Sequence, residues 1–210
     1  MKNLFTILLT GLMIVGMTIQ SHSQGFQFGI KGLANVSSIH GLDDTGIADA
    51  KSKITTGVGL FATIKISKIG VQPELQLLKQ GSKFEDSGGT EYNQKMTYFK
   101  VPVMINFYII KQLHLEAGPY FGILLAAEQK LTSDPLNLGT GPIDNKDNFK
   151  STDVGLAAGI GADIKRLNLS FRYMLGLTDI NDFTPSSGTA EKLKNGIFQF
   201  GIGISIINKD

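Results

Sequence analysis

Seven charged residues sit at positions where a polar side chain interrupts an otherwise apolar stretch. Four are basic and three are acidic, so the set could pass ions, hold a charged solute or form salt bridges. Two of them, Glu74 and Glu116, could be imagined as an acid–base pair. The full set is Lys31, Lys65, Glu74, Lys100, Glu116, Asp163 and Arg172.

Other common catalytic and metal-binding patterns are missing from the sequence. The chain has no Cys and only three His, at His22, His40 and His114, which excludes disulfides, thiolate metal sites and Cys nucleophiles. It has neither a Gly-x-Ser-x-Gly nor a His-Glu-x-x-His motif. We therefore expect no enzyme activity, no cofactor and no metal. The net charge of +2 is too balanced to favour nucleic acid.

Two acidic stretches deserve comparison with calcium sites, which use oxygen ligands. Residues 41–49 carry three Asp and residues 133–148 carry three more, but neither contains an Asp-x-Asp-x-Asp-Gly loop with a following Glu. We expect both to be solvated loops. Their acidic residues are Asp43, Asp44, Asp49, Asp134, Asp144 and Asp147.

Eight segments alternate between apolar and polar or small residues with a period of two, which predicts β-strands. Most are 9–13 residues long, whereas soluble strands average about 5–6 and a tilted membrane strand needs about 9–11. The bilayer therefore fits better than a soluble sandwich. The segments are 26–36, 54–66, 69–77, 99–109, 113–125, 154–164, 167–177 and 197–206.

Short and long connections alternate along the chain. Two-residue connections at 67–68, 111–112 and 165–166 separate long ones at 37–53, 78–98, 126–153 and 178–196. This alternation is typical of outer-membrane barrels, which have tight periplasmic turns and longer external loops. The predicted fold is all-β, an eight-stranded antiparallel up-and-down transmembrane β-barrel, with Phe171, Phe200 and Ile202 facing lipid.

The inner face of such a barrel is narrow, because eight strands enclose a space that side chains largely fill. The seven charges should then pair with one another as a salt-bridged plug, with an ion pathway or substrate site as the open alternative. Six inward glycines should relieve crowding: Gly57, Gly59, Gly159, Gly161, Gly201 and Gly203.

Three prolines fall inside predicted strands, at Pro73, Pro102 and Pro119. A proline has no N–H to donate to the ladder, and a closed barrel has no free edge at which to place it. We expect a bulge at each, with a local shift in side-chain phase.

Residues 1–23 have the pattern of a secretory signal peptide: Lys2, an apolar run over 4–19 and small residues before Gln24. An uncleaved membrane anchor is the alternative, although the 16-residue run is short of the ~20 that a helix span needs. Cleavage leaves 210 − 23 = 187 residues, the outer-membrane β-barrel domain 24–210.

Several short segments, in order and spacing, give a resemblance to the PorT-like outer-membrane β-barrel family of Bacteroidetes over nearly all of residues 24–210. The resemblance implies an eight-stranded outer-membrane barrel and supplies no catalytic residues; its namesake members are linked to protein secretion and gliding. The segments are 29–37 (GIKGLANVS), 71–75 (VQPEL), 79–82 (KQGS), 99–102 (FKVP), 117–120 (AGPY), 155–161, 172–173 and 176–178.

The leading hypothesis is a non-enzymatic outer-membrane barrel with a structural or interaction role. A small-solute or ion channel, a secretion or motility accessory and a soluble lipocalin-like carrier are the alternatives. We expect a monomer whose contacts are outer-membrane lipid and other envelope proteins.

Overall fold

The computed structural model describes residues 24–40, 51–85, 91–131, 143–144, 146, 149–178 and 194–209. The alternation of apolar and polar residues places most of the described residues in ten strands. They are β1 (Gln24–His40), β2 (Lys51–Ile66), β3 (Ile69–Gln80), β4 (Ser82–Glu85), β5 (Glu91–Tyr108), β6 (Leu113–Leu131), β7 (Ile143–Asp144), β8 (Thr152–Ile164), β9 (Leu167–Gly176) and β10 (Lys194–Lys209).

The strands form one closed antiparallel sheet. Each long strand pairs with the next along the chain, and β10 pairs with β1. The short β4 pairs with β2 and β5 as a continuation of β3, and β7 pairs with β6 beyond the end of β8. Eight long strands therefore close the barrel, which confirms the predicted fold. The described part of the chain has no helix long and apolar enough to cross a membrane.

Apolar side chains cover the outside of the barrel. Phe171, Phe200 and Ile202 are 49%, 45% and 48% exposed, so the prediction that they face outward is confirmed. The outward apolar positions run over 9–13 residues on most strands, which matches the ~9–11 residues of a tilted membrane strand.

The predicted bulges at the prolines are wrong. Pro73 pairs with Val103 in the same register that pairs Gln76 with Lys100, and Pro102 pairs with Tyr120 in the register of its neighbours. Pro119 likewise pairs in register with Leu156. Each proline is paired with one neighbouring strand and unpaired with the other, so its missing donor interrupts one ladder and inserts no residue.

Register shifts occur elsewhere in the barrel. One lies between Phe28 and Gly29 in the β1–β10 ladder, and the other between Thr97 and Tyr98 in the β5–β6 ladder. In the second ladder Leu125 is the extra residue. Its insertion lets both Leu124 and Ala127 point inward, where they are buried.

Strands β5 and β6 continue well past the predicted ends, so much of the predicted long connection 78–98 and part of 126–153 are strand. Beyond the apolar band the outward residues become Lys79, Lys95 and Glu128, and several inward residues become apolar beside the buried Gln80 and Gln94. The pattern inverts because these strand ends face water on the outside. We name the ends of β3, β5 and β6 beyond the apolar band the strand extension. Its inner cluster is Leu78, Met96, Tyr98, Leu124 and Ala127, with Phe149 packed against it.

Candidate functional site in the barrel lumen

Four of the seven predicted residues meet at the centre of the lumen. Arg172 on β9 donates from Nη1 and Nη2 to Glu74 on β3, at 3.1 and 3.0 Å, and from Nε and Nη2 to Glu116 on β6, at 2.8 and 3.0 Å. Lys31 on β1 lies 2.9 Å from Glu74. The four residues come from every second long strand around the barrel, so their contacts cross-brace its opposite walls. We name them the central ion cluster.

Amide side chains surround the central ion cluster. Gln72 donates to Glu74 at 2.6 Å and accepts from Thr63 and Asn106 at 2.9 and 3.0 Å. Gln76 also donates to Glu74 and exchanges hydrogen bonds with Gln199 at 3.2 Å. Buried charges are tolerated when such partners satisfy their remaining hydrogen bonds, and the amides supply them here.

Inward glycines make room for these side chains, as predicted. A Cβ at Gly159 would approach the Arg172 Cα to 2.6 Å, one at Gly203 would meet the Phe61 ring at 2.9 Å, and one at Gly161 would collide with the His114 ring. Real Cβ atoms do not approach so closely. All six predicted glycines face a neighbour within 3.0 Å of that position, which confirms the packing interpretation.

Lys100, the fifth predicted residue, belongs to a separate buried pair. Its ammonium lies 2.9 Å from Asp153 and 4.3 Å from the centroid of the Tyr120 ring. Asp153 also accepts from Asn195 at 3.0 Å and from the Tyr120 hydroxyl at 3.3 Å. Sequence reasoning missed Asp153 because the predicted strand began at Val154. Extending the alternation by one residue would have placed it inside.

Asp163 and Lys65 lie towards the short turns, apart from the central ion cluster. Asp163 accepts from the Tyr108 hydroxyl and from Asn168, both at 2.6 Å. Lys65 donates to the Lys111 carbonyl at 3.2 Å, and its ammonium lies 3.5 Å from the centroid of the Tyr108 ring.

His114 is buried between two acidic groups and was not among the predicted site residues. Its Nε2 lies 3.9 Å from Glu116 and its Nδ1 lies 3.8 Å from Asp163. Its ring centroid is 4.9 Å from that of Tyr108. The signal was present in the sequence, since His114 alternates with the outward Leu113 and Leu115.

The lumen chemistry is that of saturated ion pairs. Both oxygens of Glu74 and both of Glu116 accept from Arg172, and Glu74 accepts from three further donors. A carboxylate with its lone pairs occupied in this way is poorly placed to take a proton from a substrate. Among the described residues, no group of three or more His, Cys, Asp or Glu is arranged to hold a metal ion. The acidic stretches considered for calcium lie outside the described residues or have no described side chains.

A closed barrel with an apolar exterior and a filled, charged interior defines a transmembrane β-barrel. The sequence model of the outer membrane protein beta-barrel domain matches residues 19–182. The chain belongs to that family, and its location is the outer membrane.

Two solved barrel structures are similar to this chain at low sequence identity, and the first shares its fold. Neisserial surface protein A is 12% identical, with 85% of this chain and 97% of that one covered and a TM-score of 0.54. Ail, the attachment invasion locus protein of Yersinia pestis, solved with the heparin analogue sucrose octasulfate, is 16% identical, with coverage of 88% and 100% and a TM-score of 0.46. No curated protein sequence matches significantly.

Proposed function

We propose that the protein is a non-enzymatic outer-membrane barrel whose interior is structural and whose contacts with other molecules are made outside the lumen. The observation that carries this proposal is the saturation of Glu74 and Glu116 by Arg172 and Lys31. All four side chains are almost completely buried. An interior braced by ion pairs across opposite strands stiffens the barrel and leaves little space for a solute.

Planar-bilayer recording tests this proposal against the channel alternative. Purified, refolded protein should give no discrete conductance steps, because the central ion cluster and the Lys100–Asp153 pair are both buried in a narrow lumen. The matched variant is Arg172→Ala, which removes the largest buried side chain of the central ion cluster. Steps in the wild-type protein that become larger in Arg172→Ala would favour the channel.

We also propose that the short turns face the periplasm and the long connections face the exterior. The alternation of connection lengths supports this orientation. Surface proteolysis of whole cells should cut within the long connections and spare residues 67–68, 111–112 and 165–166. Cleavage confined to those short turns would contradict the orientation.

The PorT-like resemblance suggests a finer role, as an accessory of secretion or gliding. The segments 29–37 and 155–161 that carry the resemblance supply much of the inner wall of β1 and β8, so they support kinship of the barrel more than kinship of partners. A deletion strain with normal secretion and normal surface spreading would remove this role.

Export through a cleaved signal peptide completes the proposal. It is supported by the sequence pattern of Lys2, the apolar run over 4–19 and the small residues before Gln24. N-terminal sequencing of protein from purified outer membranes should begin at Gln24, whereas an intact Met1 would favour the anchor.

A further inference from the structure

We infer that the short-turn end of the barrel is a binding surface for anionic phospholipid headgroups; the inference that these lie in the periplasmic leaflet rests on the orientation proposed above. The surface is a ring of five exposed cations, which we name the basic rim. Its members are Lys68, Lys111, Lys165, Arg166 and Lys209.

The described residues of the basic rim are all cations, and Asp210, which follows Lys209 in the sequence, lies outside the described residues. Among the described residues at this end, no Asp or Glu side chain is exposed. The nearest acid among the described residues, Asp163, has a side chain that is only 8% exposed, and it accepts from Tyr108 and Asn168. Clustered cations without acidic partners raise the local concentration of anions.

The turns that carry the basic rim are fixed to the barrel. Carbonyls of Lys68, Gln112 and Arg166 accept from backbone N–H groups of the adjoining strands at 2.8, 2.7 and 2.7 Å. The Lys165 carbonyl also accepts from the Asn208 side chain at 3.0 Å. Because the backbone is held, binding of an anion has to order the side chains of the cations but not the turns that carry them.

The basic rim lies at the level of lipid headgroups. Ile66 and Ile69 flank the Lys68 turn and are 57% and 52% exposed on the apolar face. Each cation of the three turns is one or two residues past the last apolar position, and a strand rises about 3.3 Å per residue. The headgroup layer on each side of the hydrocarbon is roughly 5–7 Å thick, so the amines and the guanidinium reach phosphate.

The distribution of the cations favours lipid over a soluble acidic partner. The three turns join β2 to β3, β5 to β6 and β8 to β9, and Lys209 ends β10, so the cations surround the whole circumference. A protein partner would contact one side, whereas lipid contacts every side.

The opposite end of the barrel has a different charge pattern. Its exposed described charges are mixed, with Lys79, Lys95 and Lys194 accompanied by Glu128. The connection 41–50 carries three Asp and no Lys or Arg. The two ends of the barrel therefore differ in charge pattern as well as in loop length, because the described exposed charges are all basic at the short-turn end and mixed at the other.

Native mass spectrometry of the folded mature protein in detergent tests the inference, with phosphatidylglycerol and phosphatidylcholine as probes. The rim variant is Lys68→Gln/Lys111→Gln/Arg166→Gln, and the matched control is Lys79→Gln/Lys95→Gln/Lys194→Gln. An attraction of about fivefold per cation near an anionic surface predicts at least a fivefold loss of phosphatidylglycerol affinity in the rim variant. Phosphatidylcholine binding should be unchanged, and the control should stay within about twofold of wild type.

Three outcomes would overturn the inference. The wild-type protein could bind both lipids equally, or the two triple variants could lose equal affinity. The protein could also show no lipid preference but bind poly-glutamate through the same three cations, which would assign the surface to an acidic soluble partner. A detergent micelle has no periplasmic or external face. None of these outcomes therefore depends on the orientation that surface proteolysis tests.

Lys165→Gly separates lipid binding from folding. Lys165 has a φ of 55°, a conformation that glycine adopts without steric cost. The substitution should therefore leave the turn at least as stable, while phosphatidylglycerol affinity falls several-fold. Unchanged affinity in this stable variant would contradict a role for its ammonium.

Discussion

The membrane-embedded part of the barrel and the strand extension use opposite arrangements of the same strands. In the embedded part, Ile202 and Phe171 point outward and Arg172 and Glu74 point inward. In the strand extension, Lys95 points outward and Met96 and Leu124 point inward. The inversion shows that the solvent on each side decides which face of a strand is apolar.

The lengths of the strands explain where this inversion falls. At a rise of about 3.3 Å per residue and a tilt of about 45°, the 18 residues of β5 reach roughly 42 Å along the barrel axis. The apolar band of such a barrel is about 25 Å tall. The remainder of β5 stands in water, where burial of its apolar side chains inside the barrel is favourable.

Removal of the guanidinium at the centre of the embedded part should have the largest effect. Arg172→Met leaves Glu74 and Glu116 as buried carboxylates with one remaining cation, and breaking a buried pair in this way costs about 3–5 kcal/mol. Urea unfolding in vesicles, followed by heat-modifiable gel mobility, measures the loss. The double variant Arg172→Met/Glu116→Gln should recover part of it, and a loss below about 1 kcal/mol in the single variant would contradict the bracing role.

An arginine introduced on the outer face should have the second-largest effect on the free energy of unfolding, and that effect should differ between the embedded part and the strand ends beyond it. Ile202→Arg places a guanidinium near the middle of the apolar band, where the free energy of unfolding should fall by about 2–4 kcal/mol. Thr152→Arg, outward beyond the end of the band, should cost about 0–1 kcal/mol. The same urea titration compares them, and equal costs would mean that both positions meet the same solvent.

Adjacent leucines in β6 test the interior of the strand extension. Leu124 is 1% exposed within the inner apolar cluster, and Leu125 is 47% exposed on the outer face. Leu124→Ala should cost about 2–3 kcal/mol through lost contacts and a cavity. Leu125→Ala should cost less than about 1 kcal/mol, since lipid or solvent fills the vacated space. A larger loss for Leu125 would reverse the assigned faces.

The sequence predicted the strands of the embedded part well. A membrane strand has a nearly fixed length, and its residues alternate between only two environments, lipid and the lumen. The partners of Lys31, Glu74, Glu116 and Arg172 depend on which positions share a level across the barrel. The stagger between neighbouring strands sets the height of each residue along the barrel axis, and the alternation within one strand does not reveal that stagger. Asp153 and His114 both continue the alternation of their strands. Asp153 was missed because the predicted strand began one residue too late, and His114 was missed because only Lys, Arg, Asp and Glu were chosen as site residues.

The strand extension was missed for a different reason. Sequence reasoning assumed that apolar residues point outward throughout, so inward Leu78 and Met96 were assigned to the connection 78–98. The bulge at Leu125 obscured the phase further. At the prolines, sequence reasoning predicted an irregularity that the structure does not have. A strand can lack one hydrogen bond of its ladder without the extra residue that makes a bulge.

The central claim is that hydrocarbon surrounds the barrel and side chains fill it. The chain has no Trp, so a single introduced Trp is a unique fluorescent reporter. In vesicles with brominated acyl chains, Phe200→Trp on the outside should be strongly quenched, and Tyr120→Trp on the inside should be almost unaffected. Strong quenching of the Trp at position 120 with none at position 200 would contradict the account.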